Sequence, residues 1–200
     1  MTKALIVLSM FFMMIAAAII SIPATAEPKL VLQMPRDVYI FGHIDDLMAD
    51  TVSNKLRMLN ELSNEEIVLH IKSFGGSVYA GLQIYDAMME SKAKIKTVCE
   101  GYCMSMAAIL LAVGDTREAS KNTTIMFHEV GFGAQGKLTE VKQQVGEAER
   151  LQDVIDLAIQ ERTGLSIADI KALESYDNYI SAQQAKEMNI IDTIKARRRD

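Results

Sequence analysis

Ser105 lies in Gly101-Tyr102-Cys103-Met104-Ser105-Met106-Ala107-Ala108, a short turn that runs into an apolar helical stretch. Upstream is the turn Gly75-Gly76-Ser77-Val78; downstream are His128 in Met126-Phe127-His128-Glu129 and Asp177 in Tyr176-Asp177-Asn178-Tyr179. A serine hydroxyl attacks carbonyl carbon only when a base takes its proton and a third group holds that base in the right tautomer. The residue types for acyl transfer through a serine are therefore present: a nucleophile, a base, a carboxylate, and glycines that let backbone amides approach an oxyanion. A serine at a strand-to-helix turn also lies in the positive field of a helix N-terminus. Taken alone, Ser105 has a plainer role as the helix cap.

The chain has three histidines. His43 stands beside Asp45 and Asp46 in a polar loop and reads as solvated. His70 lies inside a strand-like run next to Lys72 and reads as outward-facing. His128 closes an apolar run before a glycine-rich segment, where strand ends commonly carry function. Gly75-Gly76 follows a strand-like run and opens a helix. It lacks both Gly-x-Gly-x-x-Gly and Gly-Lys-Ser/Thr, so a phosphate loop is disfavoured. A backbone amide of this turn, together with that of Met106, could hold the oxyanion of a tetrahedral intermediate. The Ser, His, Asp order and the absence of Gly-x-Ser-x-Gly separate the chain from the α/β-hydrolases.

These residues need a scaffold of alternating elements. The spacing predicts strands over 38–41, 67–71, 95–99 and 123–128, and helices over 47–62, 77–89 and from Ser105 to Gly114. Leu47, Val52, Leu56 and Leu59 would share one helix face. This βα order argues for an α/β domain with helices on a mostly parallel sheet. After Gly131-Phe132-Gly133-Ala134-Gln135-Gly136, residues 137–162 read as one long amphipathic helix. Leu138, Val141, Val145, Ala148, Leu151, Ile155 and Ala158 recur at helical spacing, and Gly164 ends it. Such a helix is about 39 Å long, more than one small domain needs, so part should project onto another subunit. Ser166 and Ser181 read as N-caps of two short closing helices.

Half of the 200 residues are apolar and the net charge is −5, which suits a globular domain and argues against nucleic acid. Residues 1–26 carry Lys3 as their only charge, an apolar run from Ala4 to Ile22, and Ala24-Thr25-Ala26 before Glu27. This is the layout of a secretory signal peptide, with an uncleaved membrane anchor as the competing reading. The catalytic domain would then span 27–200, exported if cleavage occurs and membrane-tethered if not. Cys99 and Cys103 would be about 13 Å apart along an extended strand, a span that a tight turn after Glu100 would shorten; they read as a reduced apolar pair in preference to a disulfide. Their spacing is not a zinc pattern, and no metal or cofactor is implied.

From about Arg36 to Ile194 the chain resembles the ClpP proteolytic subunit family. Ile71 to Met88 resembles its glycine-turn segment and following helix, Gly101 to Leu111 its nucleophile segment, Met126-Phe127-His128 its histidine segment, and Asp177 to Ala182 its aspartate segment. The resemblance implies a crotonase-like fold of repeated βα units with a protruding handle helix over 137–162. It assigns Ser105 as nucleophile, His128 as general base, Asp177 as its partner, and the Gly76 and Met106 amides as oxyanion hole. It implies stacked heptameric rings that cleave peptides or unfolded polypeptides, with substrate added as a β-strand beside the Gly76 turn and the segment after His128. Phe74 stands where the family usually has proline, and Tyr102-Cys103-Met104 replaces a smaller, more polar approach to the nucleophile. A Clp-type ATPase partner is also implied, but the short segment between Ala26 and the first strand, and export itself, argue against it. Three other readings are weighed beside this one: a catalytically silent ring subunit, a signal-peptide-peptidase-like membrane protease with a lysine base, and an acyl-CoA enzyme on the shared fold. The His128 and Asp177 motifs disfavour the lysine-based protease.

Overall fold

Apolar β-branched runs pair side by side and leave their connecting helices to cover the faces. The computed structural model describes residues 34–196, so the signal-peptide reading and the arginine-rich C-terminus lie outside the described residues. Strands β1 (Asp37–Phe41), β2 (Ile67–Ser73), β3 (Ile95–Met104), β4 (Thr116–Ala119), β5 (Thr124–Phe127), β6 (Asn178–Ser181) and β7 (Thr193–Ile194) form one sheet. The helices are α1 (Asp46–Leu62), α2 (Val78–Met89), α3 (Met106–Ala112), α4 (Leu138–Thr163), α5 (Ile167–Glu174) and α6 (Ala182–Glu187). The order β1-β2-β3-β4-β7 is parallel throughout, β5 runs parallel to β3, and β6 returns antiparallel on β5. The α/β class and the βα alternation are as the sequence implies. Strands β4, β6 and β7 were not expected, because each is short and bounded by polar residues.

Strand β3 carries two different neighbours along one edge. Lys96–Cys99 pairs with β4, and Tyr102–Met104 pairs with β5. Between them the chain bulges. On the β2 side Ile71 faces Cys99 and Ser73 faces Cys103, so four steps along β3 match two along β2. Gly101, at φ 94°, supplies the turn.

The bulge corrects the cysteine reading. Cys99 and Cys103 form a disulfide, with Cα atoms 6.1 Å apart, because the strand between them is folded back and not extended. Both are fully buried.

The helices follow their caps. Asp45 accepts from the Met48 amide, Ser77 from Ala80, Ser166 from Asp169 and Ser181 from Gln184. Gly164 closes α4 in the left-handed conformation. Val52, Leu56 and Leu59 of α1 are buried, but Leu47 is 75% exposed. On α4 the burial begins at Ala148. Leu138 is 72% exposed, so the first turns of this 26-residue helix stand clear of the chain's own core. Among the described residues no helix is long and apolar enough to cross a membrane.

The C-terminal elements are fastened to β4 through one arginine. The buried Arg117 guanidinium donates to Asp192 Oδ1 at 2.6 Å and Oδ2 at 3.1 Å, and to the carbonyls of Asn189 (2.8 Å) and Arg162 (3.2 Å). These bonds hold the Asp192 carboxyl below the usual carboxylate range, against some opposing burial. Asp192→Ala leaves the guanidinium buried without its counter-ion and should lower unfolding free energy by about 2 kcal/mol, discounted for the partial exposure of Asp192. Because this carboxyl's pKa is depressed by folding, its contribution is present above the ordinary carboxylate value and fades as pH falls through the folded one. Urea melts of both proteins at neutral and acid pH check this: the gap should narrow on acidification. Reduction of Cys99–Cys103 should lower stability by about 2 kcal/mol, as befits a short loop, and the same melts with and without a thiol reductant read it.

Candidate active site

The glycine turn, the serine and the histidine all sit at the carboxyl ends of parallel strands. β2 ends at Ser73 and leads into Gly75-Gly76, β3 ends at Met104 and leads into Ser105, and β5 ends at Phe127 and leads into His128. Open parallel sheets commonly place ligands at this edge.

Ser105 occupies the N-cap position of α3 but does not cap it: its hydroxyl makes no capping bond. Its backbone is at φ 52°, ψ −130°, a conformation that non-glycine residues rarely adopt. A serine held there costs of order 1–3 kcal/mol and persists only where surrounding contacts over-determine it. The contacts are visible. The Ser105 amide donates to Met126 O at 2.8 Å, which ties it to β5 two residues before His128. All seven residues of α3 are buried, so the helix behind Ser105 cannot shift. The capping reading is replaced by that of a strained serine presented at a strand-to-helix junction.

The glycine turn is fixed from two sides. Ile44 N donates to Gly75 O at 3.0 Å and Ser77 N to Ile44 O at 2.8 Å. A Cβ on Gly76 would meet Ile44 O at 2.1 Å; one on Gly75, at φ 93°, would meet Met104 O and the Ser105 Cβ at 2.8 Å. Glycine is required at 75 because the turn lies directly against the serine. Among the described residues the Gly76 and Met106 amides donate to no protein acceptor, so both are free for a ligand.

Gly76, Ser105, Met106 and His128 line one cavity of about 100 Å³, walled by Val78, Ile109, Val130 and Ile155 and bordered by Glu129 and Gln152. His128 Nδ1 lies 2.5 Å from the Glu129 carbonyl oxygen. A carbonyl can only accept, so Nδ1 carries the proton and Nε2 is left with its lone pair, the tautomer a base needs.

Over residues 25–198 the sequence matches the Clp protease family. The chain belongs to that family. Its α/β structure with a parallel sheet is that of a Clp protease, and the family assigns it to the serine peptidases.

Within this Clp protease, four of the expected site residues come together in the cavity and one stands apart. Asp177 is exposed and makes no hydrogen bond among the described residues. The β5–β6 ladder ends on the pair Phe127 and Asn178, and one further step of that antiparallel register brings His128 level with Asp177. His128 and Asp177 are thus the residues that adjoin the last ladder pair, and no hydrogen bond joins the carboxylate to the ring. Of the other histidines, His43 is exposed. His70 lies on the outward face of β2 with Lys72, as the sequence implies, half-buried between Asp37 Oδ1 (2.9 Å) and Glu100 Oε1 (3.2 Å) and stacked on Tyr39. Sequence reasoning missed Glu129 and Gln152. The only signal for Gln152 was its place between Leu151 and Ile155 on the buried stripe of α4. Among the described residues no group of three or more His, Cys, Asp or Glu side chains is placed to hold a metal.

Gly75→Ala should displace Ser105 and Met106 together. The expected outcome is a loss of about 10²-fold in the rate of serine labelling by a fluorophosphonate, with the protein still folded by circular dichroism.

Proposed function

We propose that this Clp protease is a serine endopeptidase that hydrolyses peptides or unfolded polypeptides through Ser105, His128 and Asp177. The reading rests most on Ser105: a strained, non-capping serine shares a cavity with a histidine in the basic tautomer and with two unused amides. In this mechanism Ser105 Oγ attacks the scissile carbonyl carbon as His128 Nε2 takes its proton. The carbonyl oxygen, now an oxyanion, accepts from the Gly76 and Met106 amides; one such donor is typically worth about 3–4 kcal/mol. His128 returns the proton to the leaving amine, and a water repeats the sequence to release the acyl group.

The imidazolium formed midway needs an anion at Nδ1. The Glu129 carbonyl orients the ring but carries no charge. Turnover therefore includes an exchange of this carbonyl for the Asp177 carboxylate. That same hydrogen bond favours a second reading, a catalytically silent or latent ring subunit in which the exchange does not occur. Assembly into heptameric, possibly stacked rings accords with the exposed first turns of α4, which a neighbouring subunit would cover. The N-terminal segment makes the protein exported, or membrane-tethered if uncleaved, and removed from a cytosolic ATPase.

Purified protein should hydrolyse short fluorogenic peptides without ATPase, and Ser105→Ala should abolish it. Asp177→Asn should lower kcat by up to about 10⁴-fold. Rings by analytical ultracentrifugation with no hydrolysis and no fluorophosphonate labelling would instead favour the silent subunit.

A further inference from the structure

The two amides that follow His128 are not held by a neighbouring strand. Glu129 N donates to Glu174 O at 3.0 Å, and Val130 N donates to the Gln152 side-chain Oε1 at 2.7 Å. Helices α4 and α5 thus set the path of the segment that carries the Glu129 carbonyl, on which the His128 ring rests. Gln152 also borders the cavity itself.

Behind Gln152 lies a pair of acids. Its Nε2 donates to Asp156 Oδ1 and to Glu174 Oε2, both at 2.7 Å. All of the amide's strong donors and its oxygen are then used, and the orientation is forced, since a flipped amide would turn its NH₂ on the Val130 N–H and its oxygen on two carboxyls. Asp156 is 2% exposed and Glu174 1%. Their other oxygens, Asp156 Oδ2 and Glu174 Oε1, are buried with no partner. Two ionised carboxylates in such a place would repel; one proton shared between the partnerless oxygens satisfies both. The surroundings supply no replacement for that proton. Glu129 faces the pair from the segment after β5. Glu149 and Asp153 of α4 and Lys171 of α5 line the adjoining surface hollow, so the acids outnumber the single cation.

We propose that Gln152 is a positioning residue for the peptidase reaction, and that the Asp156–Glu174 pair, sharing one proton, locks its amide so that the 128–130 segment is held in place for an incoming substrate strand. This rests on the serine peptidase reading. The Glu174 carboxyl is pushed up to about 8 by burial first and by the Asp156 charge next, with Glu129 adding and the Gln152 bond opposing. Loss of the proton puts two like charges in a buried site and releases Gln152, so the segment loosens as pH rises through this range.

The folded carboxyl holds its proton to higher pH than the unfolded one, whose ordinary value is 4.5. The stabilisation is therefore complete below that value and is lost as pH rises towards about 8.

Three readouts test the device on the full chain: hydrogen exchange of the 128–133 segment, taken as a protection factor against the intrinsic base-catalysed rate at each pH, kcat and KM for a fluorogenic peptide, and thermal midpoints, each across pH 5–9.5. Wild type should show faster exchange in the segment and a rise in KM, about tenfold with little change in kcat, with a midpoint near pH 8. Glu174→Gln should flatten all three profiles. Gln152→Leu should raise exchange and KM at every pH. Combining Gln152→Glu with Glu174→Gln keeps an acceptor for Val130 N and a donor between the helices, and should restore slow exchange. If Gln152→Leu fails to fold, the Glu174→Gln profile decides alone. A segment protection factor that is independent of pH in wild type and unchanged in Glu174→Gln overturns the proposal. Exchange that responds as described in a protein without peptide hydrolysis supports the lock and sinks the peptidase reading instead.

Discussion

The site depends on one strand having to serve two neighbours. β3 gives Lys96–Cys99 to β4 and Tyr102–Met104 to β5. The bulge at residues 100–101 resolves this by stepping the second half of β3 aside, and Gly101 takes the positive φ that the step demands. The Cys99–Cys103 disulfide then spans the step and limits how far it can straighten. Everything chemical lies just beyond it. Ser105 begins where the displaced half ends, and its amide is caught by Met126 O. Phe74, ahead of the glycine turn, stacks on Tyr102 at the bulge with ring centroids 4.2 Å apart. The glycine turn and the Ser105 segment are thus registered against each other.

This also explains which parts were legible in the sequence. The runs at 38–41, 67–71 and 95–99 are apolar because both faces of a parallel sheet are covered, and periodicity finds such runs readily. Thr116–Ala119 conceals its role: its one arginine is buried by pairing with Asp192, far along the chain, and composition alone reads Thr-Arg-Glu-Ala as a loop. The cysteine pairing is hidden in the sequence because a bulge separates the two residues, and that bulge shows only in the register of β3 against β2, a tertiary fact. Leu47 and Leu138 fit their helical stripes yet lie at the ends of helices that extend past the core. Ser105, His128 and the glycine turn were legible because strand ends mark themselves by a change from apolar to glycine or polar residues. Gln152, Asp156 and Glu174 were not, because acids and amides on a long polar helix normally face water. Here the segment after β5 folds over them.

Several parts of the site are unfavourable in isolation: a serine at positive φ, glycines where any side chain would stabilise the turn entropically, and two acids out of water. What offsets them is the adjacent core. α3 has only seven residues, far too few to be a stable helix in water, so its existence is owed to burial. Met106, Ile109, Leu110 and Leu111 each contribute about 1.5–3 kcal/mol on transfer from water, an upper range for side chains of this size. The core therefore fixes the same helix N-terminus whose free amide faces the cavity.

That arrangement joins the parts of the chemistry which must agree in space. The Met106 amide belongs to the helix and the Gly76 amide to a separate turn, yet Gly75 packs directly on Met104 and Ser105, so neither amide can move without the other. The histidine has no such constraint from the core. Its ring direction is set by the Glu129 carbonyl, and that carbonyl lies on a segment fastened through two amides to α4 and α5. Ser105 and the two free amides are thus built as one unit, while His128 sits on a separately fastened segment. On the proposed peptidase reading this division has a use: the strained geometry around Ser105 stays formed, and only the His128 ring has to turn from the Glu129 carbonyl towards Asp177.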